Sequence, residues 1–252
     1  MSIHTTASGS SSSQPAAKGT SLHTISCTGN YFPAKRAEGS IILFRMEGSL
    51  ADRYLNFAAL ASSERRGEDY DFRVVNRDSD VAIIAPHGGF IEPGTTQIAE
   101  AIAGHSYSFY SFEGLRTGRP HGDLHITSHR FDEPQGVGLV CGCRSAVAIH
   151  GRADAADPEQ VWMGGRNAKL GARVAKALGD AGFVTVGASN GLSAQDRANI
   201  CNRGTQGAGV QLELPRSLRN RLIADAELLD RFSRAVRVAL EAEPDGELEL
   251  HS

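Results

Sequence analysis

The stretch Val81–Thr96 (VAIIAPHGGFIEPGTT) constrains this chain more than any other. Val81–Ala85 is a short apolar run, the pattern of a strand buried on both faces of a parallel or mixed sheet. The run stops at Pro86, and His87 follows at once. Gly88 and Gly89 permit a tight turn, and Glu92 stands just before Pro93-Gly94-Thr95-Thr96, a helix start. An imidazole and a carboxylate are thus predicted in one loop at the carboxyl end of a buried strand, the edge at which open α/β sheets bind ligands. On a helix, positions five apart lie roughly 140° from one another, so His87 and Glu92 converge only in a turn. An imidazole nitrogen and a carboxylate oxygen suit Zn2+, and a catalytic zinc site takes three protein ligands with a fourth position open. A loop histidine salt-bridged to a glutamate is the competing reading of this segment alone.

A third ligand is expected at the end of a neighbouring parallel strand. His150 closes the apolar run AVAIH and precedes Gly151, repeating the order strand, histidine, glycine found at His87. His125 and His129 flank Ile126-Thr127-Ser128. Within a strand, His125 reads as a core imidazole; His129, at the strand end, is the rival to His150. Hydrolysis of a peptide-type bond also needs a group that takes and returns a proton. Glu213 fits best, because it lies in VQLEL, where a carboxylate is costly unless it is used or paired. A glutamate on the solvated face of an edge strand is the alternative. Asn202 and Arg203 in NICNRG, and Arg216 in PRSLRNR, offer donors for a substrate carboxylate, since an arginine fork matches a carboxylate in two parallel hydrogen bonds. Thr127 and Ser128 are candidates for hydrogen bonds to a substrate main chain.

The flanking pattern predicts an α/β domain over residues 50–243. Helical spacing is read over Leu50–Leu60 and Thr96–Ala103, and strands over Phe72–Asn76, Tyr107–Phe112, Leu124–Ser128 and Ala146–His150. An edge strand is expected at Val161–Met163. Asn167 caps a helix with the stripe Leu170, Val174, Leu178. Strands follow at Phe183–Val186 and Val210–Leu214, and then one helical run to about Glu243. Alternation of strands and helices argues for a sheet flanked by helices.

Residues 1–20 are rich in Ser, Thr, Gly and Ala and read as a disordered tail; residues 21–49 fit no element, and residues 244–252 form a C-terminal tail. Met46 is a candidate initiator. With 252 residues the chain is long enough for one real core. Its net charge of −3 argues against nucleic acid as a partner. No apolar run reaches membrane-spanning length, and no signal-peptide pattern opens the chain, so a cytoplasmic protein, released at most by lysis, is expected. Four cysteines at irregular spacing read as free thiols. The glycine-rich pieces match no nucleotide fingerprint. Nothing in the sequence fixes the oligomeric state.

Taken together and in order, APHGGFIEPGT, LHITSHRFDEP, the AVAIHG strand end, WMGGRN, NICNRG and GVQLELPRSLR resemble the phage-type poly-γ-glutamate hydrolase family, also labelled phage-related replication proteins. The resemblance covers about Tyr54 to Arg221. It implies a zinc-dependent amidohydrolase on a mixed, mostly parallel sheet flanked by helices, similar to the zinc carboxypeptidases. It also implies a Zn2+ site on His87, Glu92 and His150, Glu213 as general base, and a γ-glutamyl polymer or peptide as substrate. The carboxypeptidases set their histidine and glutamate three apart, not five, so the likeness to them is one of architecture. A zinc carboxypeptidase or amidase acting on another acyl amino acid or a peptidoglycan peptide is the alternative within the class. A non-enzymatic replication-associated protein is the alternative outside it.

Overall fold

The structure, a computed structural model, describes residues 52–189 and 191–241. The tails at 1–20 and 244–252, the stretch 21–49 and Met46 lie outside the described residues. At its centre is a seven-stranded sheet in the order β1-β3-β2-β4-β7-β5-β6. The strands are β1 (Tyr70–Val75), β2 (Val81–Gly89), β3 (Ser108–Gly114), β4 (Ser145–Arg152), β5 (Gln160–Gly164), β6 (Val184–Gly187) and β7 (Val210–Pro215). The central β3, β2, β4 and β7 are parallel, whereas β1 runs antiparallel to β3 and β5 antiparallel to β7. The sheet is therefore mixed, as the family resemblance implies.

Successive strand residues point to opposite faces, and the side chains divide accordingly. Val81, Ile83, Val147, Ile149, Leu212 and Leu214 pack with α2 (Thr95–Ala103), α4 (Ala168–Asp180), α5 (Arg216–Ala224) and α6 (Ala226–Glu241). Ala82, Ile84, Tyr110, Phe112, Ala146 and Ala148 pack with α1 (Phe57–Ala61), α3 (Pro134–Gly142) and the segment carrying Leu124, Ile126 and Phe131. In this alternation His150 and Glu213 belong to the second face.

Several expectations are corrected. The helix read over Leu50–Leu60 contracts to Phe57–Ala61, started by Asn56, whose side chain accepts from Ala59 N–H. Leu124–Ser128 is not a strand; it is an irregular segment after a single tight turn at His121–Asp123, and it uses Leu124 and Ile126 as inward anchors. Its alternation mimics a strand because only every second side chain is buried. Val161–Met163 is not at the edge, since β5 lies between β7 and β6. The C-terminal helical run is broken at Asp225, which adopts an extended backbone and whose carboxylate accepts from Glu227 and Leu228 N–H. Helix α3 shows no clear apolar stripe in its sequence, PQGVGLVCG; Glu133 starts it by accepting from Gln135 and Gly136 N–H.

One feature of the sheet creates the site. From β2 the chain crosses to β3 on one side and later returns to β4 on the other, so β2 and β4 flank a topological switch point, where such sheets open a crevice. Pairing between β2 and β4 ends at Ile84–Ala148, while β4 stays paired to β7 as far as Arg152–Pro215. Beyond Ile84 the two strands part.

Candidate metal centre

His87 does not sit in a loop after the strand. It belongs to β2, at a bulge where the register against β3 shifts between Ala85 and Gly88. An extra residue in one strand re-aims side chains, and here it turns His87 into the gap between β2 and β4. Gly88 and Gly89 permit the close approach to β3. A Cβ on Gly88 would come within 2.3 Å of the Ser111 and Thr96 hydroxyls, and Gly89 has φ +60° with its Cβ direction against Gly114 O. The chain then turns, Glu92 N–H bonding to His87 O at 2.9 Å, so Glu92 folds back beside the imidazole.

The three residues meet. His87 Nδ1 lies 3.1 Å from Glu92 Oε1 and 3.1 Å from His150 Nδ1, and His150 Nδ1 lies 3.7 Å from Glu92 Oε2. All three are buried. His87 Nε2 is 2.9 Å from Ile126 O. A carbonyl only accepts, so that nitrogen carries the hydrogen and Nδ1 presents its lone pair to the other two groups. Glu92 Oε2 is held by Gly151 N–H at 2.7 Å, and His150 Nε2 is 3.4 Å from Ser128 Oγ.

Electrostatics separates the members. Burial pushes the His87 imidazole down to about 4, with His125 and His150 acting in the same sense and Glu92 against it, so it is neutral at pH 7. For Glu92 burial acts upward, but the imidazoles around it, His87 first and then His121 and His150, outweigh it and hold the carboxyl well below its ordinary range. Burial also opposes the charged form of His150, yet Glu92 and Glu213 raise it overall.

This donor set fits a divalent cation. A neutral imidazole lone pair, a carboxylate oxygen and a second imidazole nitrogen converge, and a proton on His150 Nδ1 answers only part of that concentration of lone pairs. Ligand atoms at about 2.0–2.1 Å from tetrahedral zinc stand roughly 3.3 Å apart, close to the separations here. The His87 hydrogen bond to a backbone carbonyl is the usual second support of a metal-ligating histidine.

Glu213 lies beside this centre, paired in register with His150 on β4 and Trp162 on β5. It occupies an inner strand, not an edge, and is 4% exposed. Burial raises its pKa, Glu92 adds to the shift, and His150, Gln211 and Arg152 oppose it. Gln211 Nε2 donates to Oε1 at 2.8 Å. Burial beside a second carboxylate is the environment that gives a carboxyl group proton affinity near neutral pH.

His87, Glu92, His150, Glu213, Thr127, Ser128 and Arg216 all line one cleft of about 1360 Å³. Arg216 is exposed at its rim. Thr127 Oγ1 and N–H both bond to Asp52 Oδ2. Asn202 and Arg203 are not among the lining residues. Asn202 is buried, donating to Ala194 and Asp196 carbonyls and accepting from Gly209 and Arg166 N–H. Arg203 donates to the Ala198 and His129 carbonyls. Asn202 ties the 194–209 loop together, and Arg203 joins that loop to the His129 carbonyl. His129 is exposed at the rim and outside the cluster.

Asp52 and His121 line the cleft without a signal that singles them out in the sequence, and His125, expected as a core imidazole within a strand, lines it too. His125 is half-buried in the irregular segment, its Nδ1 2.6 Å from Asp52 Oδ1, and His121 Nε2 is 3.5 Å from Glu92 Oε1. The spacing His121-x3-His125 is the one trace these groups leave in the sequence. For Asp52, burial acts upward, but hydrogen bonds from His125 and Thr127 dominate and keep it ionised.

Two histidines and a glutamate over the switch point of a mixed α/β sheet, with a buried glutamate alongside, form the donor set and framework of zinc hydrolases. The family model of the poly-gamma-glutamate hydrolases matches residues 54–240, and the chain belongs to that family. It is similar to the SPbeta prophage-derived UPF0714 protein YoqZ of Bacillus subtilis (strain 168), with 35% identity over 189 residues, covering 74% of this chain and 65% of that protein. The match therefore spans just under two thirds of YoqZ. UPF0714 protein YmaC of the same organism is 35% identical over 69% of this chain and 73% of its own. Among solved structures, a bacteriophage poly-gamma-glutamate hydrolase superposes with a TM-score of 0.70 at 29% identity, covering 75% of this chain and 97% of that one. The zinc-free apo form of YndL superposes with a TM-score of 0.69 at 29% identity and the same coverage. Among the described residues, no helix is long and apolar enough to cross a membrane.

Proposed function

We propose that the chain hydrolyses γ-glutamyl amide bonds, with poly-γ-glutamate as the substrate class, using Zn2+ held by His87, Glu92 and His150. The observation that carries this reading is the convergence of those three donors beside a buried, proton-avid Glu213 in one cleft. Zinc bound there would supply Lewis-acid polarisation of the scissile carbonyl. Glu213 takes a proton from the attacking water and returns it to the leaving amine, and its raised proton affinity suits both steps. Gln211 fixes one of its oxygens. Gly151 N–H and the hydrogen bonds around Glu92 orient that carboxylate.

Arg216, which lines the cleft and is exposed, takes a carboxylate of the anionic substrate in this scheme. Ser128 and Thr127 line the wall along which a substrate main chain would run. With its 97% coverage of the phage enzyme's chain, the structural match supports the same polymer as substrate.

The test compares γ-linked with α-linked glutamate oligomers, using wild-type protein and His87→Ala. Cleavage confined to the γ-linked series and lost in the variant is the expected result. Equal cleavage of both series would move the protein to a general carboxypeptidase or amidase, and full activity in His87→Ala would remove the metal scheme.

A further inference from the structure

Beyond the His87–Glu92–His150 centre, the cleft contains a second convergence of donors: one ligand atom each from Glu92, His121 and His125. His121 Nε2 lies 3.5 Å from Glu92 Oε1, and the His121 and His125 rings are 4.3 Å apart at 35°. His121 begins the tight turn at 121–123, and His125 N–H bonds to His121 O at 3.3 Å. Four residues apart in the chain, the two rings lie against each other. Such histidine spacing is common in zinc sites.

The rest of the surroundings is built to keep His125 ready as a ligand. Its Nδ1 lies 2.6 Å from Asp52 Oδ1, and Asp52 is anchored by Thr127 N–H, Thr127 Oγ1 and Arg130. An ionised carboxylate only accepts, so the imidazole hydrogen sits on Nδ1 and Nε2 keeps its lone pair. A carboxylate–histidine pair behind a metal is a recurring arrangement that fixes the tautomer and raises ligand basicity. Glu92 has two oxygens, and they are divided: Oε2 faces His150 and Gly151, whereas Oε1 faces both His87 and His121. A single carboxylate shared by two ions is the usual bridge of two-metal hydrolytic sites.

We propose that His121, His125 and Glu92 form a second divalent-cation site, bridged through Glu92 to the His87–Glu92–His150 centre. The proposal rests on the metal assignment made for that inner centre. Two imidazoles and a carboxylate oxygen select a zinc-like ion. The alternative occupant, a substrate carboxylate, would meet Glu92 and Asp52 at close range, with Arg130, on Asp52, the one arginine or lysine among the described residues bonded to that pair. The outer site is the more open of the two, since the His121 side chain is 47% exposed, and it therefore holds its ion more weakly.

The test measures Zn2+ binding to the untagged full chain after chelator treatment, by equilibrium dialysis with elemental analysis. Wild-type protein is expected to take two equivalents in two steps. His121→Ala, an exposed position whose loss leaves the core untouched, should keep the tight step and lose the weak one. Asp52→Asn should weaken the outer step about 10–100-fold, the cost of removing such a supporting carboxylate, and leave the inner step in place. One equivalent in both wild type and His121→Ala overturns the second site while leaving the inner centre intact. Two equivalents in both also overturn it, because the extra ion then sits elsewhere. No binding by wild type would overturn both assignments.

Discussion

Individual residues carry the chemistry here, and they differ in how plainly they declare it. Glu213 is conspicuous because a carboxylate interrupts an apolar strand, where it costs several kcal/mol unless it has a role or a partner (~2–7 for a polar group without compensation). His87 and Glu92 are legible for a similar reason, both standing at the close of the apolar run that becomes β2. Asn202 and Arg203 are ambiguous in the sequence, since polar side chains in a glycine-flanked loop serve equally to bind ligands or to hold backbone carbonyls, and here they bond to the carbonyls of Ala194, Asp196, Ala198 and His129. Asp52 and His121 are illegible because their partners lie 73 and 29 residues away, at His125 and Glu92. At this scale, Glu213→Gln keeps the size and the neighbourhood of the side chain but removes its capacity to take a proton. Turnover should fall about 10²–10⁴-fold with zinc content unchanged, as steady-state kinetics and elemental analysis would show. Zinc lost together with activity would instead make Glu213 part of the metal cage.

Elements place those residues, and the decisive one is the bulge in β2. The apolar run Val81–Ala85 foretells a strand, but pairing continues to Gly89 with a shifted register, which alternation alone does not encode. Gly88 makes that possible: a Cβ there would stand 2.3 Å from two hydroxyls and 2.9 Å from Phe112 O. Gly88→Ala should therefore destabilise the protein by about 1–3 kcal/mol, the range for overpacking, and weaken zinc binding because His87 rides on the same bulge. Urea titration and metal affinity measured together check this; loss of neither would mean that the bulge does not set the imidazole. Strands with a two-sided apolar pattern, and α4 with its Leu170, Val174, Leu178 stripe behind Asn167, are readable because local periodicity reports their burial. The irregular Leu124–Ser128 segment copies the strand pattern without a strand's partners, and α3 is interrupted by glycines, so both escape.

At the scale of the whole molecule, strand order is set by contacts far apart in sequence. The α/β class follows from alternation, but the switch point between β2 and β4, and so the cleft, appears only in three dimensions. The segment bearing His121 is itself fixed by a charge network: Arg119 donates to both oxygens of Glu64 at 2.8 Å and reaches Asp69 and Asp123, while Tyr54 also donates to Glu64. The hydrogen bond with Arg119 is the main cause that draws the Glu64 carboxyl down to about 2, against the opposing effect of burial. With a folded value below the unfolded one, Glu64 stabilises the protein fully above about pH 4.5 and loses that contribution as the pH falls towards 2. Denaturation midpoints should drop over that window, and Arg119→Ala should flatten the drop; an identical acid limb in the variant would place the acid sensitivity elsewhere.

All three scales meet in one claim, that donors from β2, the turn after it and β4 hold a cation without which the cleft does no chemistry. The most direct measurement is the release of free amino groups from poly-γ-glutamate by chelator-treated protein, before and after Zn2+ is restored. Cleavage that disappears with the metal and returns with it is the predicted result. Undiminished cleavage by the metal-free protein would contradict the account.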